Sequence, residues 1–194
     1  GLPVFQHPDP KGEIERLLAS VVAQPERTHV IGAYALGKAQ RVIRLIREAG
    51  HDAPIYLHGA QEKLCAYYAG EGIDLGELRK ALDRDKAEFR GHIVIAPPSA
   101  LRDRWSRRLA DPVVCQASGW MTIRQRAKQS GVELPLVISD HADWNELTAT
   151  IRATGSETVW VTHGREEALV HWCRQRGLKA EPLYMQGREE DASE

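Results

Sequence analysis

Short apolar runs alternate with amphipathic stretches along most of the chain. Segments 28–33, 53–59, 92–100, 112–120, 134–138 and 158–162 are apolar and end in Gly, Pro or polar clusters, which predicts buried strands. Segments 11–23, 36–49, 61–69, 143–153 and 166–176 carry apolar residues at helical spacing. In 11–23 the stripe is Ile14, Leu17, Leu18, Val21 and Val22; in 36–49 it is Val42, Ile43, Leu45 and Ile46, and Gly50 ends it. Pro97 and Pro98 stop the strand at 92–100, and a helix through Leu109 follows. The polar stretch 74–90 is predicted helical, and 181–184 is predicted to be a last strand. The acidic tail after Gln186 is predicted to be disordered. Strand–helix alternation of this kind implies an α/β fold, a largely parallel sheet with flanking helices. The Gly- and charge-rich stretch 125–131 is the best domain boundary.

The composition, 42% apolar and 27% charged over 194 residues, suits a globular protein with a real core. A net charge of −1 gives no global field for nucleic acid, so any such surface must be a local basic patch. Cys65, Cys115 and Cys173 show no CxxC spacing, which argues against a zinc knuckle or a disulfide framework and fits the reduced thiols of a cytoplasmic protein. No stretch approaches the ~18 apolar residues of a membrane span. With "GLPVF" and no initiator Met at its start, the chain reads as a fragment of a longer protein.

Gly32, Gly37 and Lys38 in "GAYALGKAQ" follow seven positions of a phosphate loop. The eighth position needs a hydroxyl for magnesium, and here it is Ala39. Nucleotide hydrolysis is therefore not expected, although Lys38 at a helix start can hold a phosphate of nucleic acid.

Two histidines follow strands in the same manner, His141 in "LVISDHADW" and His163 in "VWVTHG". On consecutive parallel strands both would reach the carboxyl edge of one sheet, where open α/β sheets place their sites. A neutral imidazole suits zinc, and a second beside it suits proton transfer. Asp140 or Asp143 can orient His141. Asp143 has a competing role as helix cap, with Glu146 completing a capping box.

These residues carry a resemblance. "SDHADWNEL" with "TVWVTHG" is similar to the last two motifs of metallo-β-lactamase-fold nucleases of the β-CASP group. "GAYALGKAQRVI" resembles a helix start of the β-CASP insert. "GLPVFQHPDP" and "QASGWM" resemble the bacterial ligase-associated DNA exonucleases. The resemblance implies a β-CASP domain over 1–131 and the C-terminal βαβα part of a metallo-β-lactamase domain over 132–194. It implies two zinc ions in the intact protein, His163 as a ligand, and His141 beside the metals as general acid towards the leaving oxygen or as stabiliser of charge on the scissile phosphate. The His-x-His-x-Asp-His signature is absent, and the family layout puts it upstream of Gly1; this chain alone is expected to be inactive and not to retain zinc.

The implied substrate is nucleic acid, DNA favoured over RNA, with an ATP-dependent DNA ligase and a helicase as implied partners. His163 stands where DNA-specific relatives often carry valine, so an RNA-processing ribonuclease is one alternative. A non-catalytic α/β nucleic-acid-binding module is another. Arg104 and Arg108, four apart on a predicted helix, and Arg124 near the boundary are the candidate phosphate contacts, together with Lys38.

Overall fold

The computed structural model describes residues 2–82 and 85–185. Among them, the chain divides into two units, His7–Asp140 and a smaller one that joins the first six residues to the segment from His141 onward.

The larger unit is built on a six-stranded parallel sheet. Its strands are β1 (Thr28–Gly32), β2 (Ile55–Leu57), β3 (Leu78–Lys80), β4 (Ile93–Ala96), β5 (Pro112–Ala117) and β6 (Leu134–Leu136), in the order β3-β2-β4-β1-β5-β6. The central strands β1 and β4 are buried at every position, as strands covered on both faces must be. Ile31, Ile55, Ile93 and Ile95 share a core with Ile14 and Leu17 of α1 (Pro10–Ala23), Val42, Ile43 and Ile46 of α2 (Lys38–Glu48) and Cys65 of α3 (Gly59–Gly70). Val30, Tyr56 and Val94 form the opposite core with Phe89, Leu101 and Leu109. Full burial stabilises each of these large aliphatic side chains by about 1.5–3 kcal/mol. Asp9 caps α1 by accepting the Lys11 N–H at 2.9 Å, with Pro10 in the first turn.

Three stretches differ from expectation. Segment 74–90 is not a helix: it holds β3 and a 3-10 turn at Lys86–Phe89. Gly76 has φ +64, and the Arg47 guanidinium takes the carbonyls of Leu75 and Glu77 at 3.0 and 2.8 Å, so those carbonyls serve no helix. The helix expected after Pro98 is two 3-10 segments, Pro98–Arg102 and Arg104–Arg108, broken at Asp103, whose carboxylate accepts the Arg104 N–H. Segment 125–131 is not a linker: α4 (Arg124–Gln129) fills it, and β6 beyond it pairs with β5, so the compact unit runs on to Asp140.

The smaller unit holds α5 (Trp144–Thr154), β7 (Thr158–Val161), α6 (Glu167–Arg174) and β8 (Lys179–Pro182). β7 and β8 pair in parallel as a separate two-stranded sheet, and β8 begins two residues before the predicted last strand. Val161, Leu169, Val170, Cys173 and Ala180 make its core, and the Trp144 N–H donates to the Phe5 carbonyl at 3.0 Å. The acidic tail after Gln186 lies outside the described residues. No helix among the described residues is long and apolar enough to cross a membrane.

One core group makes the fold pH-sensitive. His29 on β1 is fully buried, with Nε2 2.8 Å from Ser20 Oγ and Nδ1 without a hydrogen-bond partner among the described residues. Burial, aided by the Arg27 guanidinium, pushes its pKa down to about 4. An unfolded histidine takes its proton near pH ~6.5, so stability is intact above that value, falls as the pH drops towards about 4, and is flat below. The loss from His29 is expected to reach roughly 2–3 kcal/mol. Burial also lowers His51 and His58, which adds to the slope. Urea midpoints measured across this window should fall less steeply for His29→Gln; an unchanged slope would show that other groups dominate.

Candidate functional site at the carboxyl edge of the large sheet

The strand order sets where a site can form. The chain leaves β1 through α2 towards β2 on one side, and leaves the adjacent β5 through α4 towards β6 on the other. Neighbouring strands whose connections diverge open a crevice at their carboxyl ends. Three exits meet at this edge: 33–37 after β1, Ser118–Trp120 after β5, and Ser139–Asp140 after β6.

The β1 exit is held from within. Gln61 Nε2 donates to the Ala33 carbonyl and Gln40 Nε2 to the Ala35 carbonyl, both at 2.9 Å, and both glutamines are buried. Gly37, with φ +76, turns the chain into α2. Lys38 then points inward: its Nζ lies 2.9 Å from Asp140 Oδ1, with the lysine side chain 4% and the aspartate 29% exposed. This ion pair joins the exits of two strands that flank β5. The β6 exit is steadied by Glu13 of α1, whose carboxylate accepts the Val137 N–H at 2.8 Å. Close packing at the β5 exit explains Gly119: a Cβ there would stand 2.8 Å from His7 Nε2 and 3.3 Å from Ser139 Oγ.

The expected site residues separate into several environments. Lys38 is spent on Asp140 and is not presented to a phosphate. Asp143 is buried and closes a capping box on α5: its Oδ1 accepts the Glu146 N–H and Glu146 Oε2 accepts the Asp143 N–H, each at 2.9 Å. His141 is exposed between them. His163 is exposed at the β7 exit, with φ +68 and Nδ1 3.3 Å from Thr162 Oγ1; Gly164 follows with φ +82. His163 and Asp111 are the non-glycine residues with positive φ among those described. The premise that neighbouring strands bring His141 and His163 together does not hold: β6 belongs to the large sheet, and β7 pairs with β8. Arg104 is exposed, Arg108 is half-buried with its Nε unbonded among the described residues, and on a 3-10 segment residues four apart do not share a face. Arg124 is exposed at the start of α4.

Among the described residues, no group of three or more His, Cys, Asp or Glu side chains is arranged to hold a metal. The two zinc ions implied by the resemblance therefore do not fit the described residues of this chain alone. The thiols offer no nucleophile: all three are buried, and burial raises each, Cys115 to about 12.

Sequence reasoning missed the exposure at this edge. From sequence, Trp120 suits either stacking on a base or filling a domain junction, with filling preferred; it is 49% exposed, with the Arg126 guanidinium 3.8 Å from its ring centroid. Tyr34 and Leu36, on the β1 exit, are 64% and 66% exposed.

No family model matches the chain. A probable DNA ligase of Opitutus terrae is 29% identical over 151 residues, a stretch that takes in 78% of this chain and 14% of that protein. The chain thus spans a small part of the relative's length.

Proposed function

We propose that this chain is the β-CASP insert and the following metallo-β-lactamase segment of a zinc-dependent nuclease that hydrolyses phosphodiester bonds, with DNA favoured over RNA. The observation that carries this reading is the likeness to a segment of a probable DNA ligase, in a chain whose motifs resemble ligase-associated DNA exonucleases. Both the motifs and the similarity support a role in DNA metabolism. The same likeness supports a DNA ligase as working partner; the helicase rests on the resemblance alone.

In this reading His163 supplies one metal ligand, and the remaining ligands come from outside the described residues. Zinc held there would supply charge stabilisation and lower the pKa of a bound water. His141, exposed at its bend, gives a proton to the leaving oxygen. Asp140 acts at one remove, by fixing the strand exit that leads to His141, and Asp143 by starting α5 directly after it.

A second reading has its own support. Asp140 and Asp143 both perform structural tasks, as expected of a non-catalytic nucleic-acid-binding module. Chelation separates the two. The complete protein, assayed on labelled single- and double-stranded DNA and RNA, is expected to lose DNA hydrolysis on treatment with a zinc chelator and to regain it with added zinc. Hydrolysis indifferent to chelation defeats the zinc assignment. Nucleic-acid binding without hydrolysis under any metal condition favours the module.

A further inference from the structure

We propose that Tyr34 and Trp120, on the exits of the adjacent strands β1 and β5, form a stacking platform for the bases of a single-stranded nucleic acid. The proposal rests on the nucleic-acid reading above and adds which residues grip the strand and in what form.

Large apolar side chains lose free energy when they stand in water, and mobile loops can often fold them away. The β1 exit has no such freedom. Gln40 and Gln61 fix its backbone from inside the core, and Gly37 sets its turn, so Tyr34 and Leu36 are held outward. At the facing exit, Ser118 Oγ accepts the Trp120 N–H at 3.2 Å and fixes the backbone that carries the indole. The two exits stem from strands in direct register, Gly32 opposite Gln116, at the crevice where connections diverge. Two exposed aromatic residues, each on a strand exit whose backbone is hydrogen-bonded in place, suit flat ligands.

Charge selects among flat ligands. Arg126 lies against the Trp120 ring, and α4, which carries it, reads Arg-Gln-Arg-Ala-Lys-Gln, with no acidic residue. Arg124, Arg126 and Lys128 are exposed. Aromatic side chains beside three exposed cations, with no acidic residue among them, match the alternation of base and phosphate in a single strand. Lys38, 5.6 Å from the Tyr34 centroid, is already neutralised by Asp140, so the added charge comes from α4. A duplex keeps its bases stacked on one another and offers this platform only its ends.

The test uses the complete protein with chelator present to prevent cleavage, and measures anisotropy of labelled oligothymidylate and of a hairpin-capped duplex. Tyr34→Ala and Trp120→Ala are each expected to weaken oligothymidylate binding about tenfold, and Trp120→Phe by less than about threefold. Duplex affinity should stay within about twofold. Arg126→Gln should lower the slope of binding against salt by about one. If Trp120→Ala fails to fold, Trp120→Leu keeps apolar bulk without the π face and should show the same loss. Single-strand affinity within about twofold of wild type in both aromatic variants overturns the platform, as does an equal loss on duplex. Loss of binding to a protein alone, with oligothymidylate unaffected, assigns the surface to a protein partner and also overturns it. If the wild-type protein hydrolyses nothing yet the aromatic variants lose the single strand, the nuclease reading falls and the platform stands. If hydrolysis is present and the variants bind normally, only the platform falls.

Discussion

If His163 is the metal ligand of the proposed nuclease, replacing it with glycine in the complete protein is expected to reduce DNA hydrolysis by about a hundredfold or more and to leave the fold equally or more stable. Changes one shell out from a metal typically cost ~10–100-fold, and a direct ligand should cost at least as much. The stability half follows from the backbone. At φ +68 an L-residue bears about 1–2 kcal/mol of left-handed strain. Glycine escapes that strain but adds about 0.5–1 kcal/mol of unfolded-state entropy. The net change therefore lies between zero and about 1.5 kcal/mol in favour of the variant. The ring contributes little to hold the fold, being exposed with one near contact, Thr162 Oγ1. Strain kept at an exposed position without a packing return is typical of side chains aimed for function. Urea unfolding, zinc content and hydrolysis of the same preparation decide the matter. A variant that unfolds more readily makes His163 a structural residue, and near-normal hydrolysis removes it from the metal.

The contrast between what the chain displays locally and what it hides is physical. β1, β4 and α2 are legible because uninterrupted apolar runs and a single helical stripe are local patterns. β3 is hidden because its determinant is remote: Arg47 takes the Glu77 carbonyl across 30 residues, and no window over 74–90 contains that information. The capping box on α5 is legible, since Asp143 and Glu146 stand at fixed local spacing. The Lys38–Asp140 pair is not, since nothing near either residue signals the other. The same limit explains Trp120. Aromatic residues read as packing by default, and only the strand order reveals that this one stands at the crevice. For His163 the strand end and the following glycine are visible in sequence, whereas the left-handed backbone that singles it out is not.

The Lys38–Asp140 pair yields the largest expected change in stability. Asp140→Ala is expected to destabilise the His7–Asp140 unit by about 3 kcal/mol, the lower end for breaking a buried pair, because the aspartate is partly open to water. The penalty arises chiefly from the lysine. Its side chain is 4% exposed, and without the carboxylate an ammonium must either remain desolvated or give up its proton. Lys38→Met removes that charge, keeps the stem's volume and leaves the more exposed partner behind, so it should cost no more than about 1 kcal/mol. The double variant should recover most of the loss, a coupling of about 2 kcal/mol in a double-mutant cycle. Asp140 makes further interactions, and Asp140→Asn separates them, since it keeps the side chain's shape and removes its charge. A loss in Asp140→Ala that the double variant does not relieve places the effect in those other contacts. A loss below about 1 kcal/mol would show that the pair behaves as an exposed one and does not clamp the exits on either side of β5.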